Sequence, residues 1–255
     1  MIETLQDWFH RYVAQFRSDD GTLSPMQQLK VEHSLRVREC GLRIAEDLGW
    51  SRERALRAEC AALLHDVGRF PQYAEYGTYQ DRVSLNHGKK GAEVLRAWQS
   101  APGGCELPIG PILTAVEFHN LPHVPGGLDP EDEALLRLVR DADKLDIFEV
   151  AYDGATHPDS LYTELTTWLS MDGPISEPVL ECARNRQPIA YADLQSLGDM
   201  LLAQLCWVYD LNYPPSFTIM KQRNTFQRLR ALIPVENGDA GSVLDQAYAH
   251  LQERA

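Results

Sequence analysis

The stretch ALLHDVGRF, residues 62–70, sets two metal-binding side chains, His65 and Asp66, side by side between an apolar run and a glycine. The run that leads to it, RERALRAECAALLH from Arg52, is rich in alanine and leucine and grows more apolar toward its end. Such residues lose little side-chain freedom in a helix, so a helix is expected to start at the Gly49-Trp50-Ser51 turn and to end on the pair. Gly68 and Pro71 then break it, and Phe70 to Leu85 reads as a long loop over the surface of the site, with Tyr73, Tyr76 and Tyr79 able to line it.

Upstream, Ser24 and Pro25 supply an N-cap and a proline at the first helical position, which predicts a helix to Gly49 with His33 inside it. Before that, Thr4 with Asp7 resembles a capping box, and Leu5, Trp8, Phe9, Tyr12, Val13 and Phe16 follow helical spacing, so a first helix is expected to about residue 17. Downstream, His87 opens HGKKGAEVLRAW, and a short apolar helix over 111–119 ends at His119. Asp129-Pro130-Glu131 is a cap, proline and acidic first turn for EALLRLVRDADKLDIFEV, which carries Asp141, Asp143 and Asp146.

Beyond Tyr152 helices are expected near 160–170, 177–185, 193–210, 216–232 and 241–253, separated at Pro174, Pro188, Pro214-Pro215 and Gly238. No run alternates as a strand would. The expectation is an all-α chain forming a single domain over 1–255, with a core at 25–150 and a C-terminal helical extension at 151–255 packed on it. The 255 residues, 44% of them hydrophobic, suffice for a sizeable core, and the tryptophans Trp8, Trp98, Trp168 and Trp207 belong in or near it.

Five cysteines, Cys40, Cys60, Cys105, Cys182 and Cys206, are scattered singly and read as reduced thiols of a cytoplasmic protein. The opening MIETLQDWFHRYV lacks a basic region followed by a continuous apolar stretch and is not expected to be a secretory signal. No apolar run approaches the roughly 18 residues of a membrane span. A net charge of -13 with dispersed Lys and Arg argues against a nucleic-acid or anionic-membrane surface. A small anionic ligand is still compatible with it, because a bound cation can dominate the local field. The sequence leaves homodimerisation open.

His33, His65, Asp66, His87, His119 and Asp143 each fall on a predicted helix or at a helix end, and packed helices can converge such residues on one point. Imidazole nitrogen with carboxylate oxygen suits Mn, Fe, Co, Ni or Zn, whereas Mg favours nearly all-oxygen sites. Two histidines and two aspartates can hold one ion with positions open for water and substrate. Two more histidines could hold a second, with Asp66 bridging. Such an ion lowers the pKa of its water toward neutrality and polarises a substrate oxygen. Asp141 and Asp143, two apart on a helix, point about 200° apart, so only one of them can be the last ligand. Arg36, one turn from His33, Arg69, after the pair, and Lys89 and Lys90 could meet an anionic substrate. His123 lies close to His119, whereas His10, His157 and His250 have no partner pattern.

In order, His33, His65-Asp66 and Asp143 resemble the H…HD…D signature of the HD superfamily of metal-dependent phosphohydrolases, over about residues 25–150. The resemblance implies that superfamily's all-helical fold, gives those four residues the role of metal ligands and favours Asp143 over Asp141. It also makes Lys144 a phosphate contact and allows Asp146 to orient a ligand. His87 in NHGKKGAEVL and His119 in FHN resemble the extra histidines of the binuclear subgroups. Arg69 stands where HDIGK-type members have lysine, and FHNLPHVPGG lacks the second histidine and the GYP triplet of the HD-GYP phosphodiesterases, so cyclic dinucleotide hydrolysis is not expected.

The resulting expectation is a phosphohydrolase with one or two divalent ions, acting on a small phosphate ester such as a nucleotide or related metabolite. Asp66, Arg69 and Lys144 would serve its chemistry, and Arg36, Arg69, Lys90 and Lys144 its substrate. Two readings compete: a binuclear iron oxygenase of the same fold, and a non-catalytic module that binds a nucleotide or metal and reports to a partner.

Overall fold

The computed structural model describes residues 2–100, 109–157, 160, 169–233 and 238–255. Among them no strand forms, and an isolated parallel bridge joins Ser170 and Ser196. The chain is all-α and divides into two compact units, Met1–Asp143 and Lys144–Ala255.

The first unit holds α1 (Ile2–Ala14), α2 (Pro25–Asp47), α3 (Arg52–Leu64), α4 (Arg69–Tyr76), α5 (His87–Ser100), α6 (Gly110–Phe118) and the first half of α7 (Pro130–Thr156). Ser24 caps α2 as expected: its side chain accepts from the Gln27 N–H while the Gln27 side chain accepts from the Ser24 N–H. α2 packs along α3, α6 lies against both α3 and α5, and α4 meets α5 and α2.

α1 buries Leu5, Phe9, Tyr12 and Val13 and lies on α3. Its rings close over the fully buried Phe70, edge-on from Phe9 and Tyr12, each at 6.1 Å. Each such aromatic pair adds about 0.5–1.5 kcal/mol beyond the area it buries. The Tyr12 hydroxyl donates to the Val67 carbonyl at 3.1 Å, and burial lifts its pKa above the usual phenol range. α1 thus clamps the turn that follows His65-Asp66.

Two expectations are corrected here. α1 begins at Ile2, before the expected cap at Thr4, and ends at Ala14. The segment from Phe70 to Leu85 is not a plain loop, since it contains α4 and a 3-10 turn at Asp81–Val83. Pro71 is the third residue of α4, where its missing N–H would have had no helical partner, so it starts this helix rather than preventing it. Gly68 is required by close approach: a Cβ there would lie 2.1 Å from the His87 carbonyl oxygen and 2.6 Å from the Gly91 nitrogen. Its bare backbone lets the turn after Asp66 touch the start of α5.

The second unit holds the rest of α7, then α8 (Glu177–Arg184), α9 (Leu197–Leu205), α10 (Pro214–Gln222), α11 (Thr225–Arg230) and α12 (Gly238–Arg254). α12 packs on α8, α9 and α10, and α9 and α10 on α11. The helix expected over 216–232 is split, because Asn224 takes a left-handed conformation (φ 53°), which asparagine tolerates better than most residues. The helix expected over 193–210 is α9 flanked by 3-10 turns at Tyr191–Asp193 and Cys206–Asp210. The expected helix near 160–170 falls largely outside the described residues, as do Trp168 and Cys105. Cys40, Cys60, Cys182 and Cys206 form no disulfide, and no helix among the described residues is long and apolar enough to cross a membrane.

Candidate metal centre

Helix ends deliver the chemistry. His65 is the C-cap of α3 and His119 the C-cap of α6, each folded back so that its Nδ1 donates to the carbonyl three residues earlier, of Ala62 and of Val116, at 2.8 Å. His33 projects from the middle of α2, His87 opens α5 and Asp143 comes from α7. His33, His65, Asp66, His87 and His119 are buried, and Asp143 is partly exposed.

The six side chains meet as two groups that share Asp66. In one, the Nε2 atoms of His33 and His65 are 3.2 Å apart and lie 3.2 and 3.5 Å from Asp143 Oδ1. Asp66 Oδ2 faces the same two nitrogens at 3.6 Å. In the other, the Nε2 atoms of His87 and His119 are 3.1 Å apart, with Asp66 Oδ1 at 3.4 and 3.6 Å. Each oxygen of one carboxylate therefore addresses one histidine pair. Asp143, not Asp141, turns toward the histidines, while Asp141 is fully buried on the same helix.

The donor chemistry fits a cation. The Nδ1 proton of His119 is committed to a carbonyl and that of His87 to the Asp81 carboxylate at 2.7 Å, so both Nε2 atoms carry lone pairs. Burial, reinforced by Arg69, brings the His87 pKa down to about 3 against the pull of Asp81, so His87 carries no second proton at neutral pH. Two lone pairs 3.1 Å apart repel, and a positive ion between or beside them satisfies both. The groups His33–His65–Asp143 and His65–Asp66–His119 each gather their ligand atoms within 4.8 Å, as a metal ion requires.

Carboxylates here stay ionised. Burial alone would raise Asp66, but Lys30, His65 and Arg69 together outweigh it and hold its pKa well below the ordinary range. Asp143 is likewise held low, against burial, by His33 and His65, whose Nε2 atoms face its Oδ1. Lys30 was not singled out by the sequence reading, although it sits one turn before His33 on the same helix face. Its ammonium is 2.7 Å from Asp66 Oδ2.

Arg69 lies with Nε 3.4 Å from Asp66 Oδ1, and its Nη1 donates to Gln72, to the Tyr79 carbonyl and to Asp81. The Tyr79 ring lies under both cations, at 5.6 Å from Lys30 and 5.7 Å from Arg69, and its hydroxyl donates to the Met26 carbonyl. Arg140, buried on α7, donates to the carbonyls of His119 and Leu121 and thereby fixes the end of α6. Asp81 belongs to no recognisable motif, and Arg140, although it opens the string RDADKLD, carries no sign in the sequence of the carbonyls it meets.

The remaining candidates have these partners and exposures. Lys144 pairs with Asp210 at 2.9 Å within the second unit, and Asp146 is buried there. Lys90 pairs with Glu93, and Arg36, Lys89 and His123 are exposed.

The family model described as HD domain matches residues 31–147, which include all six histidines and aspartates of the centre, and the chain carries an HD domain there. That domain defines a superfamily of metal-dependent phosphohydrolases. Neither the curated proteins nor the solved structures compared with the chain gave a match.

Proposed function

We propose that the protein is a divalent-metal-dependent phosphohydrolase acting on a small phosphate ester, a nucleotide or a related metabolite. The observation that carries the reading is the pair of facing imidazole nitrogens at 3.1 Å on one side of Asp66 and the matching pair at 3.2 Å on the other. In this reading His33, His65, Asp66 and Asp143 hold one ion, and His87, His119 and Asp66 a second. A bound divalent ion supplies Lewis-acid activation of water and of a phosphoryl oxygen near neutral pH.

The chain's own residues prepare that chemistry. Main-chain carbonyls and Asp81 pin the Nδ1 protons, which keeps each Nε2 of His65, His87 and His119 aimed inward as a donor. Lys30 and Arg69 keep Asp66 anionic and offset the charge of a phosphate brought beside it. Burial of His33, His65, Asp66, His87 and His119 keeps most bulk water from the site, which strengthens the charge interactions among them.

The test is hydrolysis of a phosphomonoester and nucleotide panel by the full chain loaded with Mn, Fe, Co, Ni or Mg, with Asp66→Ala alongside. Turnover that needs a metal and is lost in the variant is expected. No turnover with any metal, or unchanged turnover in the variant, ends this reading. Two irons per chain with oxygen-dependent chemistry would replace it with the oxygenase.

A further inference from the structure

We infer that Asp81, from the 3-10 turn between α4 and α5, is the positioning residue that makes the His87–His119 half of the centre able to hold an ion of its own. The inference rests on the reading that the histidine–aspartate groups hold divalent ions, and it assigns a role to a residue outside the ligand set.

The orienting acceptors differ among the histidines. His65 and His119 end their helices, so each finds a carbonyl in the preceding turn of its own helix for Nδ1. His87 begins α5 and has no preceding turn. Its Nδ1 is taken instead by a carboxylate, with Asp81 Oδ2 at 2.7 Å and Oδ1 at 2.9 Å. A neutral carbonyl fixes ring rotation and tautomer. A carboxylate does both and also pushes electron density toward the far nitrogen, which makes Nε2 the stronger donor.

Asp81 is itself held from several sides. Gln72 donates to Oδ1 at 2.9 Å, Arg69 to Oδ1 at 3.0 Å and Asn120 to Oδ2 at 3.0 Å. Asn120 is the residue after His119, and Arg69 also reaches Asp66 Oδ1 at 3.4 Å. One carboxylate thus touches His87 itself, the chain neighbour of His119 and the cation beside Asp66. It thus reaches one of the three ligands of this half directly and a neighbour of each of the other two. No contact of Asp81 runs to His33, His65 or Asp143 among those the structure describes. Its loss should therefore be felt on one side of Asp66.

The test uses the full-length chain and cobalt(II), followed by calorimetry, by the visible bands of the bound ion and by elemental analysis after desalting. Wild type is expected to take up two ions. Asp81→Ala should keep the first ion within about twofold of wild-type affinity and bind the second about 10–100-fold more weakly. The retained first ion also shows that the variant is folded. Asp81→Asn keeps an acceptor without the charge and nearly the same shape, so a smaller, several-fold weakening of the second ion is expected. It carries the test if the alanine variant does not fold.

Wild-type affinity for both ions in Asp81→Asn, equal weakening of both ions, or a wild type that takes up a single ion overturns the inference. No substrate is involved in this readout. A wild type that binds two ions and hydrolyses nothing would therefore defeat the phosphohydrolase reading while leaving the role of Asp81 intact.

Discussion

Asp66 in the first unit and Asp199 in the second are both buried carboxylates on helical frames, and their partners differ in kind. Asp199 accepts from the main-chain N–H groups of Ser176 at 2.7 Å, Gln195 at 2.9 Å and Ser196 at 3.3 Å, and it completes the capping box of α9. Those donors belong to the backbone and cannot be exchanged. Asp66 faces two side-chain cations and four imidazole nitrogens, so its charge is met by side chains rather than by backbone. A buried acid satisfied by backbone serves the fold, whereas one surrounded by imidazole nitrogens and side-chain cations is prepared for chemistry.

The largest expected effect separates the two acids by activity. Asp66→Ala should lower metal-dependent turnover by at least about a thousandfold, the scale seen when a group central to the chemistry is removed. Asp199→Ala should leave turnover per folded molecule and metal content unchanged. Equal losses in both variants, measured by steady-state assay and elemental analysis, would erase the contrast.

Metal removal comes next. An ion supplied at about a hundred times its Kd stabilises the folded chain by about 2.7 kcal/mol, so the melting temperature should rise by about 5–10 °C when chelated protein is reloaded. Asp66→Ala should lose this shift and Asp199→Ala should keep it. Scanning calorimetry reads both.

Asp199→Ala itself should cost about 2–3 kcal/mol, because a cap is lost and buried N–H groups are left without an acceptor. Urea unfolding measures it, and a cost below about 0.5 kcal/mol would show that water replaces the carboxylate.

The smallest effect is on pH dependence. The His87 pKa is lowered from 6.5 to about 3, so between these values the unfolded chain binds a proton that the fold refuses. Metal-free protein should therefore lose stability as pH falls below 6.5, by at most about 1.4 kcal/mol per pH unit from this group. The depressed carboxylates Asp66 and Asp143 add stability that is present above their unfolded pKa and lost only at lower pH. His87→Gln should flatten the slope between pH 6.5 and 5, and an unchanged slope would place the titration elsewhere.

The helices and the six-residue centre were legible because each ligand is a chemically distinctive residue at a helix end or on an apolar face. His65 and His119 close helices whose composition announces them, and Ser24-Pro25 marks the start of its own helix. Asp81 was not legible, because an acid in a polar turn looks like any solvated charge until folding brings it to His87. α4 was hidden by Pro71, whose effect depends on whether it falls in the first turn of a helix or in its interior. Asn224 was hidden because helical periodicity continues on both sides of the residue that interrupts it.

The hydroxyl of Tyr12 on the Val67 carbonyl makes the first helix a brace for the backbone that carries Asp66. A chain shortened to begin after Ala14, as is often done to obtain crystals, would strip Phe70 of its ring partners Phe9 and Tyr12 and leave the backbone behind Asp66 open to solvent. On the metal-binding reading, a chain cut there should take up less metal than the full one, a difference that elemental analysis of the two would read.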